Sequence, residues 1–196
     1  VNFKTNSGSD IDLARPWSIK QKPPVQIISE PTTLVFSINT EVGSIEKSLT
    51  FYPDTYLIQV DINTKNVSSE MFAGQYFFSW KGGLPLTEKN KTDDLMYTNA
   101  FLYQGGELEK VKADGPNFLE SDYNGLTDWV STRTKYFTAS FVPTKDTKPK
   151  SAIIGSGLVE DQEIYDLSLV LSGSSISSVL LYLGPLEYDR IKTLSP

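Results

Sequence analysis

Residues 128–143 read DWVSTRTKYFTASFVP. Thr, Val, Tyr, Phe and Trp dominate the stretch, no glycine interrupts it and Pro143 closes it, so it predicts extended β structure. Alternate positions of a pleated strand share a face. One parity carries Trp129, Phe137, Ala139 and Phe141, and the other carries Val130, Thr132, Thr134, Tyr136, Thr138 and Ser140. Arg133 and Lys135 share the parity of the aromatics, so one flat strand would drive two charges into its own core. The spacing therefore predicts a bulge or hairpin break between Thr132 and Tyr136. The result is a central strand pair with Trp129, Phe137 and Phe141 turned inward to hold sheets together.

The same alternation recurs on both sides of this pair. Leu34, Phe36 and Ile38 share a face of Thr33–Asn39, then Ile45, Lys47, Leu49 and Phe51 do so in Ser44–Tyr52, and Tyr56, Ile58, Val60 and Ile62 in Thr55–Asn63. Toward the C-terminus, Tyr165, Leu167, Leu169 and Leu171 line one face of Glu163–Ser172, with further strands expected at Ser151–Gly157 and Val179–Leu183. Residues 1–16 read as a loose edge or an opening strand, and Trp17–Lys20 and Val25–Ser29 as short strands. Gln104-Gly105-Gly106-Glu107 has the chemistry of a hairpin turn between strands at Asp94–Tyr103 and Leu108–Lys112. Ala113–Asn124 reads as irregular, and Thr87–Asp94 (TEKNKTDD) as an exposed polar loop. Only the end looks helical. Pro185 at a first turn, Glu187 early, and Arg190 and Lys192 late suit the dipole of a helix over about 185–193. Short links argue for antiparallel order. The expected architecture is mainly β: about a dozen strands in two packed sheets, forming one domain over 1–196.

Composition narrows the chemistry. The 196 residues include no Cys and no His. Disulfides and thiolate zinc sites are excluded, and the commonest general base and metal ligand is missing. Eighteen basic and 24 acidic residues give a net charge of −6 without a basic stripe, which argues against nucleic acid and against polybasic adhesion to lipid. No apolar run reaches the ~18 residues that span a bilayer. The chain starts without Met, as a domain excised from a longer protein would.

Catalytic patterns are weak. Gly155-Ser156-Gly157 is half of a G-x-S-x-G, and Gly82-Gly83 and Gly105-Gly106 lack the rest of a phosphate loop. Asp93-Asp94 and Glu160-Asp161 lie in polar, turn-like surroundings, whereas a working acid needs an apolar pocket to raise its pKa. Catalytic residues, cofactor and metal are therefore all expected to be absent. The aromatic run Tyr76, Phe77, Phe78 and Trp80 could stack sugars, but adjacent parities cannot all face one groove, and core filling is the better reading. A carbohydrate-binding or aldose-epimerase-like sandwich is the alternative reading; the missing His counts against its enzymatic form.

Trp129-Val130, then Lys135-Tyr136-Phe137-Thr138-Ala139 and Val142-Pro143, resembles the W-V-x(4)-K/Q-Y-F-x-A…I/V-P signature in the large periplasmic domain of the YidC membrane protein insertase family. Leu49-Thr50-Phe51-Tyr52 followed by Tyr56-Leu57-Ile58-Gln59-Val60 is similar to that family's TLTF strand pair. Leu181-Tyr182-Leu183-Gly184-Pro185-Leu186-Glu187-Tyr188-Asp189 is similar to its lYvGPk.yd.L element. The family's opening strand carries a G-G pair with no counterpart before Trp17, which leaves the N-terminal boundary open.

The resemblance implies a galactose mutarotase-like β-supersandwich on the periplasmic side of a bacterial inner membrane. It further implies tethering by flanking membrane helices and a non-catalytic role in membrane protein insertion and folding. Trp129, Tyr136, Phe137, Pro143, Gly184 and Pro185 become structural motif residues, and Leu186, Tyr188 and Ile191 candidate partner contacts. The implied partners are the Sec translocon with its accessory subunits, and nascent inner-membrane proteins.

Overall fold

The computed structural model describes residues 1–22, 29–113, 115, 117–160 and 162–187. The chain opens with β1 (Asn2–Lys4), β2 (Asp10–Asp12) and β3 (Ser18–Ile19), then a long meander of β4 (Thr32–Thr40), β5 (Gly43–Phe51) and β6 (Leu57–Asn63). Two short 3-10 segments, Lys65–Glu70 and Phe72–Gly74, lead into β7 (Gln75–Trp80), and one α-helix, α1 (Lys91–Tyr97), follows. After it come β8 (Asn99–Gln104), β9 (Glu107–Val111), β10 (Leu119–Asn124), β11 (Thr127–Arg133) and β12 (Phe137–Pro143). The last three strands are β13 (Ser151–Val159), β14 (Gln162–Ser172) and β15 (Ile176–Pro185).

These strands make two antiparallel sheets, as the alternating patterns require. One runs β10-β13-β14-β7-β1-β2, and the other β3-β4-β5-β6-β15-β12-β11-β8-β9. The two inner faces bury each other's apolar residues. Tyr165, Leu167, Leu169 and Leu171 of β14 are fully shielded, as their shared parity predicts. Facing them are Leu102, Val130, Phe141 and Val179 of the larger sheet. Phe78 meets Phe141 across the interface at 4.6 Å between ring centroids. Lys47 shares the inner face with Ile45 and Leu49 and lies 4.4 Å from the Trp17 ring, so Trp17 supplies the aromatic surface that lets a cation sit among apolar side chains. At the β8–β9 turn, Gly105 (φ 61°) and Gly106 (φ 87°) supply the two left-handed positions a tight hairpin needs.

Several expectations change. The break inside 128–143 is a hairpin, with residues 134–136 as its turn, but side-chain parity does not carry across it. Val130 pairs with Phe141 and Thr132 with Ala139, so the inner-face residues of β11 are Val130 and Thr132. Trp129 lies instead on the outer face, stacked on its register partner Tyr103 at 5.8 Å and 11°. Phe137 does share the inner face with Ala139 and Phe141, but it stands where the sandwich ends and is 42% exposed.

TEKNKTDD is not a plain loop, because its second half begins α1, and the strand expected from Asp94 begins only at Asn99. Asp94 ties that helix to its surroundings by accepting the backbone amides of Thr87, Glu88 and Lys135. Ala113–Asn124 is not wholly irregular, since its last six residues form edge strand β10. Pro185 closes β15 rather than opening a helix. Leu186 and Glu187 are not helical either, and residues 188–193 of the helix expected there lie outside the described residues, as do Asp161 and most of the short strand expected at Val25–Ser29.

Candidate functional site

The sandwich is open where β12 begins and β15 ends. Registers Phe137↔Pro185 and Ala139↔Leu183 place these four side chains on the inner face at that end. Opposite them β7 finishes at Trp80, which shares a face with Tyr76 and Phe78 through its pairing with Leu167. The chain then turns sharply through Gly82 (φ 85°) and Gly83 (φ 62°), angles that glycine adopts without strain. Two bonds fix the turn: Trp80 Nε1 donates to the Gly83 carbonyl at 2.7 Å, and the Gly82 N–H donates to Asp166 Oδ1 at 2.8 Å. Leu84 and Pro85 are thereby laid across the opening. Between the two walls is a hollow of about 660 Å³, lined chiefly by Trp80, Leu84, Pro85, Phe137, Leu183 and Pro185, with Glu187 at its margin. Such a lining offers apolar contact area in place of converging acids and bases, and suits binding better than chemistry.

The wall formed by β12 and β15 is braced from behind. The Thr134 N–H donates to the Phe137 carbonyl at 2.9 Å, and the Leu186 N–H donates to the Tyr136 carbonyl at 2.7 Å, extending the pairing beyond Pro185. Asp94 on α1 is wholly shielded from solvent and accepts from the backbone N–H groups of Lys135 (2.9 Å) and Thr87 (2.9 Å), with Glu88 at 3.4 Å. Burial opposes its ionisation, but these amides, helped by the Lys135 charge, outweigh that and hold its carboxyl below the ordinary value. Lys135 Nζ meets Asp93 Oδ2 at 2.7 Å, and the hydrogen bonds to Asp93 and Tyr136 hold its ammonium above the ordinary lysine value. On the outer side, Tyr182 donates through its hydroxyl to the Pro185 carbonyl at 2.7 Å. Tyr56 and Tyr182 meet edge to face at 6.1 Å, directly over Gly184.

The residues singled out in the sequence are therefore dispersed. Phe137, Gly184 and Pro185 meet at the hollow, Tyr136 stands on the turn beside it, and Leu186 is half-buried just beyond. Trp129 is on the outer face, and Pro143 pairs with Val179 at the far end of β12. Tyr188 and Ile191 lie outside the described residues. Trp80, Leu84, Pro85 and Asp94 were not foreseen. The signal for the first three was the aromatic strand running into Lys81-Gly82-Gly83-Leu84-Pro85. For Asp94 no local signal exists, since its partners are 41 residues away in Lys135 and seven in Thr87.

The YidC periplasmic domain family model matches residues 3–196. A membrane protein insertase YidC from Chlorobium luteolum is 35% identical over 159 residues, covering 76% of this chain and 26% of that protein. The corresponding protein of Chlorobaculum parvum is 27% identical over 205 residues, covering 98% of this chain and 34% of its own length. The chain thus spans between a quarter and about a third of these relatives. An alpha-galactosidase from Lactobacillus brevis superposes with a TM-score of 0.50 at 11% identity, over 98% of this chain and 30% of that one, a likeness of fold alone. A family model that fits almost from end to end, together with relatives above 30% identity across three quarters of the sequence, places the chain in the YidC periplasmic domain family.

Proposed function

We propose that this chain is the single periplasmic domain of a bacterial inner-membrane protein insertase. It works there as a scaffold and partner-contact surface, with no catalysis of its own, while other proteins are inserted and folded. The observation that carries this reading is the apolar hollow, whose walls include Phe137, Gly184 and Pro185 of the family-like motifs. Trp129, Tyr136 and Pro143 serve the framework around it. Leu186, with Tyr188 and Ile191 after it in sequence, provides the contact residues. The partners are the Sec translocon with its accessory subunits, and nascent inner-membrane proteins whose apolar segments match the lining.

A photo-crosslinking amino acid at Leu186 or Phe137 of the full-length parent protein, in native membranes, tests this. Adducts with translocon subunits or nascent chains are expected from both positions. Adducts no more abundant than those from Phe72, which projects from the opposite end, would overturn it.

A further inference from the structure

We propose that the hollow-bearing end of the sandwich rests on the phospholipid interface, with Met96, Tyr97, Tyr136, Phe137, Leu158 and Val159 as the contact side chains.

Topology brings these residues to one end. Tyr136 and Phe137 belong to the β11–β12 hairpin, and Met96 and Tyr97 to the last turn of α1, which hands the chain to the start of β8 on the same side. Leu158 and Val159 are at the tip of the β13–β14 hairpin. Ile154 pairs with Leu167 and Leu167 with Trp80, so the hairpin continues several residues past the end of β7 in the direction of the hollow. All six are large and at least a third exposed, Met96 reaching 61% and Val159 52%. An apolar concentration of this kind on one end of a folded domain marks a contact surface.

The chemistry around them favours a lipid headgroup boundary over a second apolar protein face. Tyrosines combine a ring that enters the acyl region with a hydroxyl that stays wet, and lysine and arginine extend their stems in the same way. Here the two are interleaved. Lys135 Nζ is 5.1 Å from the Tyr136 ring centre and 5.9 Å from that of Tyr97, and the Arg133 guanidinium is 5.9 Å from Tyr97. At the opposite end Phe72, Leu108, Leu126 and Ile176 are also exposed, but they fall on separate loops and strand ends, and among the described residues no cation lies over the Phe72 ring.

Chain direction agrees. β15 runs toward the hollow-bearing end, and β1, antiparallel to β7, comes from it. The relatives are membrane protein insertases about three times the length of this chain, and both ends of the described residues lie on this side. The inference rests on the family assignment but on no protein partner, and a test in pure lipid separates the two.

The native chain has no cysteine, so single cysteines can be placed and labelled without interference. An environment-sensitive dye at Met96→Cys, Tyr136→Cys or Val159→Cys is compared with the same dye at Phe72→Cys and Ile176→Cys, using vesicles of phosphatidylethanolamine and phosphatidylglycerol at 3:1. A blue shift with increased emission is expected at the first three positions only. The unlabelled triple variant Met96→Ser, Leu158→Ser, Val159→Ser should melt like the native chain and float with vesicles about tenfold less. Equal responses at both ends, or none at any position, would overturn the proposal. So would a response that arises only when the vesicles carry translocon proteins, which would reassign the surface to a protein partner.

Discussion

The backbone N–H of Lys135 donates to Oδ1 of Asp94 at 2.9 Å, joining the only α-helix among the described residues to the turn between β11 and β12. Replacing Asp94 with Ala leaves two or three shielded amides without an acceptor. Loss of these charge-assisted bonds is expected to cost about 2 kcal/mol in urea unfolding. The carboxyl is held below its unfolded value, so its contribution is complete above the unfolded pKa near 4 and disappears as pH falls through the lower folded one. Acid unfolding curves should show this component in the native chain and lack it in Asp94→Asn.

Gly184 has no space for a side chain. A β-carbon there would stand 2.6 Å from Tyr56 Cγ and 3.1 Å from Tyr182 Cζ. Gly184→Ala should therefore cost about 1–3 kcal/mol through overpacking. Combining it with Tyr56→Ala should cost less than the sum of the two single changes, which a double-mutant cycle of unfolding free energies would measure.

Lys47 occupies the inner face of β5 with aromatic rings as its neighbours. Desolvation by burial lowers its pKa, so carrying the charge costs stability. Lys47→Met is expected to be neutral or stabilising by up to about 1 kcal/mol. The sign of the pH effect follows. The native chain should gain stability as pH rises from the lowered folded value toward the ordinary 10.5, while the Met variant shows no such gain. Thermal melts between pH 8 and pH 11 are the check, those limits bracketing the ordinary lysine range.

Tyr165 is buried with its hydroxyl donating to Glu163 Oε2 at 2.7 Å and accepting the Ala113 N–H at 3.0 Å. Tyr165→Phe keeps the packing but strands that amide, for an expected loss of about 1–2 kcal/mol. Hydrogen exchange at Ala113 should accelerate in the variant more than exchange within β14.

What could be read in advance follows from which forces are local. Inner-face residues of β6 and β14 were legible because uninterrupted strands keep strict parity, and Val60, Ile62, Tyr165 and Leu167 bury as their spacing requires. Trp129 shows where that logic stops. A three-residue turn resets the face, and the aromatics of β11 and β12 cannot be put on one side until the Val130↔Phe141 register is known. The hollow was half visible, in Phe137, Gly184 and Pro185, because one strand pair supplies them. Its other wall comes from β7, more than 50 residues earlier, and pairing across sheets leaves no mark in local sequence. The composition of α1 pointed to a loop, and the Lys135 amide that ties Asp94 to the β11–β12 turn is 41 residues away, beyond the reach of local pattern.

The position of β15 between β6 and β12 sets an order of assembly. Strands β3 to β6 form one half of the larger sheet and β8, β9, β11 and β12 the other, all earlier in the chain, and β15 alone joins them. Until residues 176–185 are present, each half keeps an unpaired edge that only distant contacts can close. Synthesis from the N-terminus therefore completes the larger sheet in one late step. Closure of the larger sheet in this way waits for residues 176–185, a clock written into strand order.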